Sequence, residues 1–198
     1  MNTKKGFTLL ELLIVIGILA ILSTTVVLVI NPAELLAKAR DSQRISDLNT
    51  VKTAIAYYIT EAGNPSIGLS ANSYSHVTGV TCSERTASST SSQAINGTGW
   101  IPVNFGALAG GSPISNLPVD PNASTASTGN YYYVYLPDAT KLTFKLIANM
   151  ESAYYKNGGD GNVESTDGGK NVNLYEVGTD MDIAITVGPD CYNGETAS

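Results

Sequence analysis

Residues 7–30 form an apolar run interrupted only by Thr8, Glu11 and the Ser23-Thr24-Thr25 group. A helix needs about 20 such residues to cross the hydrocarbon core of a bilayer, so this run is long enough to span one. Lys4 and Lys5 precede it, which predicts that the N-terminus stays on the cytoplasmic side. A secretory signal peptide competes with this reading. However, the run is longer than a usual signal core and no A-x-A site closes it. A plain membrane anchor accounts for everything except Glu11. A carboxylate at the centre of the hydrocarbon costs roughly 2.5 kcal/mol or more, so one that persists there needs a partner and a task.

Beyond the run comes Asn31-Pro32. A proline there either bends a continuing helix or opens a new one at its first turn, and the sequence leaves both open. Ile45, Leu48, Val51, Ile55 and Tyr58 then recur at spacings of three and four, which is one face of an amphipathic helix. Arg40, Asp41, Arg44 and Asp47 fall among them and are placed for local ion pairs. Gly63-Asn64-Pro65 ends the pattern. The expectation is helix from residue 7 to about residue 61, with the stripe serving as the seam between helix and sheet and not as a ligand site.

The rest of the chain is rich in Gly, Ser, Thr, Asn and Tyr. That composition suits a β-rich, loop-heavy domain outside the cell better than a cytosolic enzyme. Residues 66–98 are polar and irregular, and 86–92 are nearly all Ser and Thr, which predicts a long exposed loop. Strand candidates are 100–105 (interrupted by Pro102), 131–136, 142–150 and, more weakly, 183–187. The short connection from Leu136 to Leu142 predicts a hairpin. A helix followed by antiparallel strands gives an α+β head. Asn96-Gly97-Thr98 and Asn122-Ala123-Ser124 have the spacing of a glycosylation sequon, which short sequences also produce by chance.

Several functions are disfavoured. The formal net charge of -6 argues against nucleic acid as the main partner, because affinity for phosphates comes from clustered Lys and Arg. Cys82 and Cys191 are the two cysteines and form no C-x-x-C pair, so zinc and thioredoxin-like readings have no support. Outside the cytoplasm the two can form a disulfide; otherwise they are free thiols, and sequence alone does not supply the Cα separation that decides. His76 is the sole histidine and lies in a polar stretch, read as a solvated loop residue. Cys82 nearby makes a weak nucleophile–base pair. No catalytic constellation emerges, and catalysis is not expected.

Gly6-Phe7-Thr8-Leu9-Leu10-Glu11, with its basic leader and apolar run, resembles the processing motif of type IV prepilins and of the pseudopilins of type II secretion. The resemblance implies cleavage after Gly6 by a prepilin peptidase and N-methylation of Phe7. It also implies assembly through the N-terminal helix, with Glu11 meeting the new α-amine of a neighbouring subunit so that two charges costly in lipid neutralise one another. The implied divisions are a leader over 1–6, a transmembrane and filament-core helix over 7–30, an amphipathic helix over 31–62 and a globular head over 63–198. The implied partners are the peptidase, further copies of the chain in a helical polymer, an inner-membrane assembly platform and membrane lipid. The precursor would cross the cytoplasmic membrane once, head outside, before entering a cell-surface filament. Leu117-Pro-Val-Asp-Pro121 ahead of Tyr131-Tyr-Tyr-Val-Tyr135 adds a weaker resemblance to the middle of such proteins.

Two alternatives stay open: the major pseudopilin of a type II secretion system, and a monomeric membrane-anchored extracellular binding module. Major pseudopilins carry calcium in a C-terminal loop. Carried over to this chain, Asp160, Asp167, Asp180 and Asp182 would supply the oxygen ligands. Their spacing is not that of an EF-hand, which favours a solvated acidic loop.

Overall fold

The computed structural model describes residues 6–123, 130–186 and 191–192. Lys4 and Lys5, Ser124 of the second sequon and Val187 of the last strand candidate lie outside the described residues. The chain forms two compact units, Met1–Leu36 and Ala37–Ser198.

The first unit is built on helix α1, Leu9–Ile30, which helix α2, Pro32–Glu61, follows after one residue. That residue, Asn31, has φ 45, a left-handed conformation that Asn tolerates better than most side chains. Pro32 is the first residue of α2, where its missing N–H leaves no helix bond unmade. Of the two readings open for Pro32, the second holds: the proline opens a new helix. Within α1, Ser23 and Thr24 donate to the carbonyls of Leu19 and Ala20 at 2.7 and 2.9 Å, and Thr25 donates to that of Leu22 at 2.8 Å. The hydroxyls of the apolar run are thus satisfied inside the helix, as hydrocarbon surroundings require.

The second unit combines α2 from Ala37 onward with a five-stranded sheet. The strands are β1 Asn72–Ser75, β2 Thr86–Ser89, β3 Val134–Asp138, β4 Thr143–Ala148 and β5 Tyr175–Gly178, in spatial order β2-β1-β3-β4-β5. All pairs are antiparallel except β1 with β2. The β3–β4 hairpin pairs Val134 with Ile147 and Asp138 with Thr143. Leu48, Val51, Ile55 and Tyr58 of α2 share one core with Tyr133, Tyr135, Phe144, Leu146 and Val177, with Ile45 partly buried beside them. The stripe is the helix–sheet seam that its spacing predicted.

A second core lies on the other face of the sheet: Tyr132, Val134, Leu136 and Ile147 under Leu174, Ile183 and Tyr192. Strands covered on both faces read as continuous apolar runs, which explains why residues 131–136 show no alternation. A disulfide joins Cys82 to Cys191 at this second core, with Cα atoms 5.1 Å apart. Next to it the Tyr132 and Tyr192 rings stack with centroids 4.5 Å apart.

Four expectations need correction. Thr86–Ser89 is an edge strand and not a loop: its hydroxyl side chains suit a partly exposed edge, and its backbone pairs with β1. Trp100, Ile101, Val103 and Phe105 are buried, but no strand forms among residues 100–105; Pro102 has no N–H for a ladder, and Phe105 instead opens a short 3-10 helix, Phe105–Ala107. No strand spans the described part of 183–187, and the late strand is β5, eight residues earlier. His76 is interior, only 7% exposed, because the end of β1 turns it against the rings of Trp100 and Tyr133.

Candidate functional site: the N-terminal helix and its carboxylate

Thr8 is extended (φ -81, ψ 151) and caps α1. Its Oγ1 accepts from the Glu11 backbone N–H at 3.2 Å. Glu11 Oε2 accepts in return from the Thr8 backbone N–H at 2.9 Å and from Thr8 Oγ1 at 2.8 Å. This is a reciprocal capping box, which satisfies helix-start donors that have no other partner in the chain. The sequence signal was present as Thr-x-x-Glu ahead of an apolar run, and it gives Glu11 a local task beside the one its family resemblance implies.

The span Leu9–Val26 is long and apolar enough to cross a membrane, and none of it is buried within the chain. Phe7, Leu9 and Leu10 are among the most exposed large apolar side chains described. Glu11 is the only ionisable residue of that span. A Cβ on Gly6 would meet nothing within 4 Å among the described residues, so no contact described here demands glycine at that position.

The other residues singled out in the sequence lie in the second unit, where Arg40, Asp41, Arg44 and Asp47 make more than local pairs. The fully buried Arg44 guanidinium donates Nε and Nη2 to Asp120 Oδ2 and Oδ1 at 2.7 and 2.8 Å, and Nη1 to Asp41 Oδ1 at 2.7 Å. Burial works against its charge, but its bonds to Asp120 and Asp41 outweigh burial and raise its pKa. Asp41 also accepts from the backbone N–H groups of Glu151 and Ser152 at 2.9 and 2.8 Å. Arg40 pairs with Glu151. Asp47 accepts from the Tyr133 hydroxyl at 2.9 Å. Together these groups clamp α2 to the head through Asp120 and Glu151, which no helical spacing in the sequence identifies.

The four aspartates that the pseudopilin alternative would use for calcium make separate contacts. Asp160 is exposed. Asp182 pairs with Lys170 at 2.9 Å. Asp180 accepts from Thr143 Oγ1 at 3.3 Å and from the Asp182 backbone N–H at 3.0 Å. Asp167 accepts from the backbone N–H groups of Gly169 and Glu176 at 2.7 and 2.5 Å, and burial pushes its carboxyl up to about 6. Among the described residues no three His, Cys, Asp or Glu side chains are grouped to hold a metal. The acidic loop instead closes over a buried pair, Lys145 Nζ to Glu176 Oε1 at 2.8 Å. Gly169 is required there, since a Cβ on it would lie 1.9 Å from Glu176 Oε2.

A membrane-length apolar helix carrying one carboxylate, continued into an α+β head, defines a pilin-like protein. Residues 1–27 match the family described as the prokaryotic N-terminal methylation motif. Fimbrial protein Q of Moraxella bovis is 33% identical over 111 residues, covering 54% of this chain and 68% of that protein. No solved structure matches the chain. The chain belongs to the type IV pilin-like family. It carries that family's N-terminal methylation motif, and the family is one of structural pilin subunits.

Proposed function

We propose that this chain is the structural subunit of a type IV pilus-like surface filament. A prepilin peptidase cuts it after Gly6, and the new terminal residue, Phe7, is N-methylated. The subunit waits in the cytoplasmic membrane as a single-pass protein with its N-terminus inside, and an inner-membrane platform feeds it into the filament. There the exposed apolar surface of α1 packs against other copies, and Glu11 pairs with the α-amine of a neighbour.

The observation that carries this reading is the pairing of an uncovered apolar span, Leu9–Val26, with a single carboxylate in its first turn. An uncovered apolar surface of that length needs lipid or other helices, and a carboxylate there needs a positive partner. The glycine at position 6, which no described contact demands, supports recognition by a peptidase. The similarity to a fimbrial protein favours a pilus over a secretion fibre. Mass spectrometry of the mature chain tests the proposal, with N-methylated Phe7 as the expected terminus. A mature chain beginning elsewhere, or surface preparations without filaments under electron microscopy, would overturn it.

A further inference from the structure

We propose that His76 is an acid-operated latch on the clamp that holds α2 to the head. When neutral, its ring occupies an aromatic slot against Tyr133, whose hydroxyl holds Asp47 of α2; when protonated, it leaves the slot and loosens that contact.

Both ring nitrogens of His76 are buried and have no hydrogen-bond partner among the described residues. The ring lies edge-on to Trp100 and Tyr133, with centroids 5.8 and 5.6 Å away. Such a slot accepts a neutral imidazole at modest cost and excludes an imidazolium, which has two N–H donors to satisfy.

The groups around it set the direction of the response. Its chain neighbours, Ser75 at the end of β1 and Val77 beyond it, carry no charge. The segment before the 3-10 helix contributes Trp100, and the residue preceding β3 contributes Tyr133, whose hydroxyl is engaged by Asp47. The charge acting on His76 is that of Asp120. Both Asp120 oxygens already serve Arg44, and Oδ1 also accepts from the Asn122 backbone N–H at 2.8 Å. The clamp as a whole holds Arg40 and Arg44 against Asp41, Asp120 and Glu151. Carboxylates are in excess, so a third cation is electrostatically favoured near the clamp, but only if the ring abandons its aromatic contacts. Burial outweighs the pull of Asp120 and depresses the imidazole from 6.5 to about 4. A His whose folded pKa is lowered contributes stability that is complete above the unfolded pKa and is lost as pH falls toward the folded value. The latch therefore opens between about pH 6 and pH 4.

The chain has one histidine and one tryptophan, which makes the test direct. The full chain in detergent micelles is titrated with acid while three signals are followed: the His76 ring resonances, Trp100 emission, and hydrogen exchange of the α2 amides around Asp41 and Arg44. The expected result is that His76 takes up its proton near pH 4. Trp100 emission should change over the same range, and opening of the α2 amides, corrected for intrinsic exchange, should rise about tenfold per pH unit on the way down. His76→Phe should remove that step. If this variant does not fold, the wild-type signals decide alone. A ring titrating near 6.5, α2 amides that stay closed while His76 protonates, or an unchanged step in a folded His76→Phe would each overturn the latch.

Discussion

In the unit Met1–Leu36 the apolar side chains of Leu9–Val26 face outward and one carboxylate, Glu11, sits in the first turn of that membrane-length span. In the unit Ala37–Ser198 the apolar side chains are interior, and so are Asp41, Arg44, Asp120, Lys145 and Glu176. The two units reverse the usual assignment in opposite senses, one by exposing what should be hidden and the other by hiding what should be exposed. In the second, each charge named has a charged partner within 2.8 Å. The first is an interface without its other half. A buried, fully bonded ion pair belongs to a finished fold, whereas a bare apolar helix anticipates a surrounding phase or further copies.

That contrast can be broken by experiment. The largest effect is expected for Glu11→Ala: surface filaments counted by electron microscopy should disappear while the thermal melting of the head stays where it was. A head that melts differently would show that the units are not energetically separate. Next is Arg44→Met, which leaves the buried carboxylates of Asp41 and Asp120 without their cation. Breaking a buried pair from one side costs about 3–5 kcal/mol, read as a lower denaturant midpoint for the head, and adding Asp120→Leu should recover part of it. Third, Cys82→Ala removes a crosslink between residues 109 apart, worth about 2–4 kcal/mol; the loss should appear in head unfolding and leave the helicity of α1 unchanged.

The smallest effect concerns pH. The folded pKa of Asp167 is raised to about 6. A carboxyl with a raised folded pKa weighs against folding above that value and is relieved as pH falls through it. Going from pH 7 to 5, wild type should gain, relative to Asp167→Asn, at most about 1 kcal/mol. The partial exposure of this carboxyl reduces the figure further through solvent screening. His76 runs in the opposite sense over the same range, so only the difference between the two proteins isolates Asp167.

Much of this was legible in local pattern. The apolar run, the stripe from Ile45 to Tyr58 and the β3–β4 hairpin follow from periodicity and turn chemistry, which depend on near neighbours in the chain. What escaped that reading depends on distant neighbours. His76 sits among polar residues in sequence, yet the third dimension sets it against Trp100 and Tyr133. Arg44 has an obvious partner three residues away in Asp41, but its bidentate partner, Asp120, is 76 positions on. The aspartates of the late loop look like ligands in sequence, and the fold turns them to separate tasks. Edge strand β2 was hidden by its hydroxyl side chains, because pairing with β1 comes from the backbone and leaves little trace in composition.

The sequence by itself determined the N-terminal element: a membrane-length helix, its capping threonine, its one carboxylate and the glycine before it. These follow from residue type and spacing over a single helix, where each backbone bond closes within four residues. Only the tertiary structure decided how the head is held. Which charges meet, whether the histidine is dry and whether the cysteines join depend on side chains brought together from distant parts of the chain, 76 residues for Arg44 and Asp120 and 109 for the disulfide, and no local rule reaches that far.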